Sequence, residues 1–188
     1  INNFKPHQNV ILIVEPLKRI SLDEFLIEQQ FISQHPLRII ILDQVTDPQN
    51  VGAIIRSAYA FKMDALALSQ TNSPIESIGM SKASSGTIEK LKIIELSNMS
   101  RAIRKLQDAN FHVYGLANGG YGSVLDLEKE DGNVAVIVGS EGKGLRRLTR
   151  EKVDQLLKIP INPDSESLNV SNAASISMFQ LQKNIIKN

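Results

Sequence analysis

The feature that most constrains this chain is an unbroken apolar run that ends in a glycine-rich loop. Residues 134–138 read VAVIV, and residues 139–144 read GSEGKG, with three glycines among six residues. A run of β-forming residues without alternation predicts a strand buried on both faces, as in a parallel sheet. The glycines allow a tight turn or a close approach of the backbone to a ligand.

A second stretch repeats this arrangement further along the chain. Residues 156–161 read LLKIPI, and after a polar loop the segment SLNVSN at 167–172 opens the last predicted helix. In parallel sheets, ligands bind outside the carboxyl ends of strands, and the two strand ends here lie only about twenty residues apart. The two loops therefore predict one pocket at the carboxyl edge of the sheet.

Alternating strands and helices predict the fold class. Strands are predicted over residues 38–42, 65–68, 91–96, 112–117, 134–138 and 156–161. Helices are predicted after Asp47, which serves as N-cap with Pro48 at the first helical position, and over parts of 73–84, 100–109 and 170–186. Six strands interleaved with helices predict an α/β fold with a mainly parallel sheet.

The first 36 residues differ in composition from the rest. They contain an apolar run at 9–14 and helical spacing at 22–31 that is broken by SQHP at 33–36. We predict a linker or the tail of a preceding domain over residues 1–36, followed by one domain over 37–188. A chain of 188 residues is long enough for one sizeable domain with a short extension.

Composition excludes several classes of site. The absence of cysteine excludes disulfide frameworks, thiolate metal sites and cysteine nucleophiles, and it fits a reducing compartment. The three histidines, His7, His35 and His112, have no metal-ligand spacing, and apolar runs of five or six residues are too short to span a membrane. The net charge of +1 gives no whole-chain signal for nucleic acid, although a local basic patch would suffice.

The helix after Asp47 carries an unusual polar face. Val51, Ile54 and Ile55 follow helical spacing toward the core, whereas Gly52 and Arg56 share another face. Glycine inside a helix costs about 1 kcal/mol relative to alanine, so Gly52 predicts a large group packed against this face. A solvated Arg56 beside a neutral glycine is an equally good interpretation of the helix alone.

The glycine loop fits neither of two familiar nucleotide-binding templates. Its G-x-x-G-x-G spacing differs from the dinucleotide fingerprint G-x-G-x-x-G, and Lys143 precedes Gly144 rather than the Ser or Thr of a Walker loop.

The following Arg146, Arg147 and Arg150 are either a contact for RNA or the solvated face of a short helix. Ser167 and Asn169 are explained equally well as helix N-caps, and no histidine stands near a serine to favour a hydrolase triad.

Three blocks taken together resemble one family. They are LDQVTDPQNVGAIIRSA at 42–58, IVGSEGKGL at 137–145 and IPINPDSESLNVS at 159–171. The order and content of the blocks resemble the SpoU/TrmH family of RNA ribose 2′-O-methyltransferases, within the SPOUT class. The leading His7-Gln8 and the next strand also resemble the end of the small RNA-binding domain that precedes the catalytic domain in members that methylate a guanosine ribose in 23S rRNA. The resemblance thus implies that residues 1–36 are a linker and the tail of an N-terminal RNA-binding domain. The resemblance implies an α/β knot, in which the C-terminal segment threads a loop to form a trefoil, an exception to the usual rule against threading.

The resemblance also implies a cofactor and the residues of an active site. S-adenosylmethionine would lie in the knot, against the backbone around Gly139, Ile159 and Leu168 with Glu141 and Gly142 alongside. The polar positions that match the family's catalytic set are Asn50, Arg56, Glu141, Ser167 and Asn169. The acidic loop 162–166 departs from what the family leads us to expect before its third motif.

Chemistry limits the role of Arg56. A guanidinium keeps its proton in proteins, so we expect Arg56 to clamp a phosphate and stabilise a developing alkoxide rather than act as a base. Glu141 or a water molecule is the candidate proton acceptor. Arg146, Arg147 and Arg150 are expected to contact the RNA backbone together with Arg56.

The resemblance implies a homodimeric enzyme of the bacterial cytoplasm, or of an organelle, that acts on rRNA in preference to tRNA and needs no metal. The alternatives are a tRNA ribose methyltransferase and a non-catalytic RNA-binding protein on the same fold. A nicotinamide oxidoreductase is disfavoured by the failed dinucleotide fingerprint.

Overall fold

The computed structural model describes residues 15–69 and 77–182. Within them an eight-stranded sheet runs in the order β1-β4-β3-β2-β7-β5-β8-β6, and every paired strand is parallel. The strands are β1 Arg19–Ser21, β2 Arg38–Asp43, β3 Ala65–Ser69, β4 Lys92–Leu96, β5 Phe111–Leu116, β6 Gly122–Ser123, β7 Asn133–Gly139 and β8 Gln155–Lys158.

Helices cover both faces of this sheet. They are α1 Leu22–Ile32, α2 Pro48–Ala60, α3 Ile78–Ser84, α4 Met99–Asp108, α5 Arg147–Lys152 and α6 Val170–Gln182, with short 3-10 helices at Ile88–Lys90 and Val124–Lys129. Ile40 of β2 belongs to a core shared with α2, α3 and α6, whereas its neighbour Ile39 belongs to a second core shared with α1 and α4. The predicted α/β class with a mainly parallel sheet is therefore confirmed, and the trefoil knot stays a prediction.

Three residues of the described segment before residue 37, Arg19–Ser21, belong to the sheet. Strand β1 pairs with β4, Ser21 caps α1 in a capping box, and Phe25 of α1 is fully buried. Residues Arg19–Ile32 therefore extend the sheet and its core, and the domain boundary at residue 37 stays a prediction. The run at 9–14, His7-Gln8, residues 73–76 and the predicted helix end at 183–186 lie outside the described residues.

A buried arginine fixes the start of β7. The Arg38 side chain, only 2% exposed, donates to the carbonyl oxygens of Gly132 and Glu130, and burial lowers its pKa from the usual value. The Leu37 amide donates to Asn133 Oδ1 at 2.9 Å. These contacts hold β7 in register beside β2, so that the ends of both strands reach the same edge of the sheet.

Candidate active site

The glycine loop folds back over the end of β7. A Cβ atom on Gly139 would lie 2.2 Å from the Gly144 carbonyl carbon and 2.3 Å from the Leu145 nitrogen, so only glycine fits there. The Gly144 amide donates to Ser140 O at 2.8 Å, and Gly142 and Gly144 both have positive φ. The loop is therefore a closed turn whose shape depends on its glycines.

Asp43 anchors the far side of this loop. Its carboxylate, fully buried at the end of β2, accepts from Arg146 Nε at 2.6 Å, from the Arg146 amide at 3.2 Å and from Thr149 Oγ1 at 2.7 Å. Asp47 caps α2 by accepting from the Gln49 and Asn50 amides. The predicted N-cap role of Asp47 is thus confirmed, and Asp43 stabilises the fold as well.

A cavity of about 370 Å³ opens at the carboxyl ends of β5, β7 and β8, where the two loops meet. All five residues predicted to bind the methyl donor line it: Gly139, Glu141, Gly142, Ile159 and Leu168. Ser167 lines it as well. The sequence prediction of one pocket formed by two strand ends is therefore confirmed.

Three side chains from the three motifs form a hydrogen-bonded cluster beside this cavity. The side-chain Nδ2 of Asn50 donates to Glu141 Oε1 at 3.2 Å, and Nδ2 of Asn169 donates both to the same oxygen and to Asn50 Oδ1, the latter at 3.0 Å. Asn50 and Asn169 are 119 residues apart in sequence. Two amide donors on one carboxylate oxygen fix the orientation of Glu141.

Asn169 has a structural role in addition. Its Oδ1 accepts from the Ser171 amide at 2.8 Å and from Ser171 Oγ at 2.6 Å at the start of α6. The cap therefore uses the oxygen of the side chain, and the contact with Glu141 uses its nitrogen. The N-cap interpretation of Asn169 is therefore confirmed, and its catalytic role stays a prediction, whereas Ser167 lies outside the helix.

Arg56 does not line the cavity. It is exposed on α2, and its guanidinium makes no hydrogen bond or ion pair with the residues that the structure describes. Arg56 lies six positions after Asn50, which corresponds to about 9 Å along the helix axis. Gly52 is explained by packing, since a Cβ there would lie 2.5 Å from Ala83 Cβ and 2.7 Å from Met80 O of α3. The large group predicted against this glycine is therefore a neighbouring helix.

The three arginines after the glycine loop have different surroundings. Arg146 is bound to buried Asp43, and Arg147 pairs with Glu151 at 2.6 Å on the surface. Arg150 lines the cavity, and its guanidinium has no hydrogen-bond or ion-pair partner in the described part of the chain. The three do not form one uniform patch, because the charges of Arg146 and Arg147 are already compensated.

The turn after β5 is a part of the site that the sequence interpretation missed. The cavity is lined there by Ala117, Asn118 and Gly119. The side-chain Nδ2 of Asn118 donates to Glu166 O at 2.7 Å, which ties the turn to the loop before α6. The Asn-Gly-Gly run at 118–120 directly after a predicted strand was the available signal.

Some classes of site find no support within residues 15–69 and 77–182. These residues contain no group of three or more His, Asp or Glu side chains placed to hold a metal ion. They also contain no helix that is long and apolar enough to cross a membrane.

Comparison with known proteins gives concordant matches. The model of the SpoU rRNA Methylase family matches residues 37–179. A Staphylococcus epidermidis protein named as a TrmH family tRNA/rRNA methyltransferase is 35% identical over 178 residues, which are 95% of this chain and 71% of that protein. The 23S rRNA (guanosine-2′-O-)-methyltransferase RlmB of Xanthomonas campestris is 39% identical over 142 residues, which are 76% of this chain and 57% of that protein.

A solved structure gives the same result. The crystal structure of an AdoMet-bound rRNA methyltransferase from Sinorhizobium meliloti superposes with a TM-score of 0.75 at 25% identity. The superposition covers 85% of this chain and 60% of that one. The chain therefore spans more than half, but not all, of the proteins that it matches.

Proposed function

The chain belongs to the SpoU rRNA methylase family, and from this premise we propose that it transfers a methyl group from S-adenosylmethionine to a ribose 2′-hydroxyl of RNA. The observation that carries the proposal is the meeting of all three motifs at one cavity, where Asn50, Glu141 and Asn169 form a single hydrogen-bonded cluster. The catalytic domain in this proposal spans residues 37–188.

The cavity fits the donor in size and lining. Small-molecule sites typically enclose about 300–1,000 Å³, and this cavity is near the lower end of that range. The backbone around Gly139, Ile159 and Leu168 would hold the adenosyl part, with Gly142 and Glu141 alongside. When bound, the donor supplies an electrophilic methyl group on a sulfonium centre.

The chain's own residues would act mainly by positioning. Displacement at a methyl carbon requires the attacking oxygen to lie in line behind it, so orientation alone accounts for a large part of the rate. The two asparagine amides hold Oε1 of Glu141, whereas Oε2 makes no hydrogen bond with any described residue. Either this oxygen or a water molecule accepts the ribose proton in our proposal, and Ser167 at the cavity wall orients the substrate.

Arg56 acts on the RNA side of the site in this scheme. It is exposed and uncommitted among the described residues, so its guanidinium is available to grip a phosphate in a bidentate manner and to stabilise negative charge that develops on the ribose oxygen. Because Arg56 lies outside its own cavity, we propose that two copies of the chain associate and complete each site near their interface.

The proposed substrate is rRNA, with a guanosine ribose of 23S-type rRNA as the target. The support is the 39% identity to a protein named as a 23S rRNA guanosine-2′-O-methyltransferase. The relative from Staphylococcus epidermidis is named for both tRNA and rRNA, so a tRNA ribose is the alternative. We propose the bacterial cytoplasm, where rRNA is made, as the location.

The test is incubation of the protein with labelled S-adenosylmethionine and total unmodified RNA, followed by mapping of the labelled nucleotide. We expect label on one ribose 2′-oxygen of 23S rRNA, and Glu141→Gln should reduce incorporation while the fold is retained. Donor binding without incorporation into any RNA would contradict the enzymatic proposal and favour an RNA-binding role. Label on tRNA would contradict only the choice of substrate.

A further inference from the structure

The turn after β5, which forms part of the cavity wall, is followed directly by an aromatic side chain that is exposed to solvent. Tyr121 is 96% exposed and follows Ala117, Asn118 and Gly119, which line the cavity wall. A single exposed aromatic residue is common on protein surfaces and has no meaning alone. The position of Tyr121 therefore has to be judged from the turn that carries it.

This turn is held by hydrogen bonds to two neighbouring parts of the chain and by one bond within itself. The Ala117 amide donates to Leu157 O of β8 at 2.9 Å, the Gly120 amide donates to Ala117 O at 2.9 Å, and Asn118 binds the backbone of Glu166. A Cβ on Gly120 would lie 2.5 Å from the Leu157 carbonyl carbon, so the turn lies against the β8 backbone. The ring of Tyr121 is thus presented by a fixed backbone without being used to pack the core.

An uncompensated cation lies beside the same turn. Arg150 Nη2 would be 3.9 Å from a Cβ on Gly119, two residues before Tyr121. Its neighbours Arg146 and Arg147 are committed to Asp43 and Glu151, whereas Arg150 has no such partner among the residues described. An arginine and an exposed aromatic ring beside one turn of the cavity wall match the chemistry of unpaired nucleotides, which bring a negative phosphate and a flat base.

We propose that Tyr121 stacks on an unpaired base of the RNA substrate that flanks the methylated ribose, while Arg150 binds a neighbouring phosphate. The inference rests on the proposed function and adds to it a surface for single-stranded RNA at the donor cavity. Asp164 and Glu166 in the adjacent loop disfavour a broad phosphate contact there, so an uncharged stacking contact with one arginine suits this edge better than a basic patch would.

The proposal is tested by measuring the binding of two fluorescein-labelled oligomers. One is a 12-nucleotide oligouridylate, and the other is an abasic ribose-phosphate oligomer of the same length. Tyr121→Ala should weaken oligouridylate binding about tenfold, as expected for loss of one stacked base, and Tyr121→Phe should stay within about twofold of the natural chain. The affinity of Tyr121→Ala for the abasic oligomer should equal that of the natural chain. Arg150→Ala should weaken both oligomers and reduce the salt slope by about 0.7.

Leu125→Ala is the matched control, because Leu125 is 53% exposed on the 3-10 helix that follows and should have no effect. The affinity for S-adenosylhomocysteine, measured by calorimetry, should not change in Tyr121→Ala. The proposal is overturned if Tyr121→Ala binds oligouridylate as tightly as the natural chain does, or if its affinity for the abasic oligomer falls by the same factor as its affinity for oligouridylate. It is also overturned if the natural chain binds neither oligomer. Tyr121-dependent RNA binding without methyl transfer would instead count against the proposed function alone.

Discussion

Arg56 lies outside the cavity but on the same helix as Asn50, so its contribution to turnover is separable from donor binding. Lysine keeps the charge but loses the planar fork that binds a phosphate at two points. We expect Arg56→Lys to lower kcat about tenfold or more while the affinity for S-adenosylhomocysteine is unchanged. Arg147→Lys is the control, since Arg147 already pairs with Glu151. Near-full turnover of Arg56→Lys would show that the bidentate clamp is wrong.

A substitution at Gly139 should change ligand affinity, in contrast to one at Arg56, because Gly139 shapes the cavity in which we propose that the donor binds. An added methyl group would meet the backbone of Gly144 and Leu145 well inside van der Waals contact, so the loop would have to shift. We expect Gly139→Ala to weaken S-adenosylhomocysteine binding about 10- to 100-fold by calorimetry. Gly132→Ala is the matched control, since a Cβ there meets nothing within 4 Å. Equal affinity in both variants would show that the loop does not shape the donor site.

Asp43 is the residue through which β2 supports the glycine loop. Replacing its buried carboxylate by an amide leaves the contacts to Arg146 and Thr149 without their charge. Asp43→Asn should lower the free energy of unfolding in urea by about 2–3 kcal/mol. Glu151→Gln, which breaks the exposed pair with Arg147, should cost less than about 1 kcal/mol. Similar losses in the two variants would contradict an anchoring role for Asp43.

At the scale of elements, the sequence predicted those that carry their own periodicity. The apolar runs of β2, β3, β4, β5, β7 and β8 and the Asp47-Pro48 start of α2 were all located correctly. Strands β1 and β6 were missed, because three and two residues show no pattern and their pairing with β4 and β8 is non-local. A strand this short is identified by its neighbour in the sheet rather than by its own residues.

The same distinction applies to the site. The loops after β7 and β8 were predicted, because glycine and small polar residues mark them locally. The pairing of Arg146 with Asp43 was not predicted, since 103 residues separate the two and a run of arginines has the same local appearance whether or not its charges are compensated. Likewise, the close packing at Gly52 could not be predicted from the sequence, because it depends on where α3 lies in the fold.

Helix α1 provides a test of whether the first segment belongs to the folded unit. Phe25 is fully buried in the core under α1 and α4, whereas Phe31 on the same helix is 85% exposed. Phe25→Ala should lower the free energy of unfolding by about 3–5 kcal/mol, and Phe31→Ala should change it by less than about 0.5 kcal/mol. Chemical denaturation measures both. A negligible loss for Phe25→Ala would favour the interpretation of this segment as a linker.

At the scale of the whole molecule, a net charge of +1 means that any affinity for RNA comes from where the cations lie rather than from their number. Arg38 is buried at the start of β2, and Arg146 and Arg147 are paired, so these three add little to an external field. Arg56 and Arg150 remain uncommitted among the described residues. Of the four arginines predicted to contact RNA, the two uncommitted ones lie at separate places, Arg56 on α2 and Arg150 at the cavity, so they offer two discrete contacts for a polyanion.

The cavity also connects parts of the chain that are distant in sequence, from the turn after β5 to the start of α6. A ligand that contacts all of them binds the folded chain and not the unfolded one, so its binding free energy adds to global stability. At 100 times its dissociation constant, S-adenosylhomocysteine should raise Tm by about 5–10 °C for a chain of this size. Gly139→Ala should show about half of this shift or less at the same ligand concentration, and Gly132→Ala should show all of it. An unchanged Tm in the natural chain would contradict donor binding, and equal shifts in the two variants would mean that the cavity at the ends of β5, β7 and β8 is not where the donor binds.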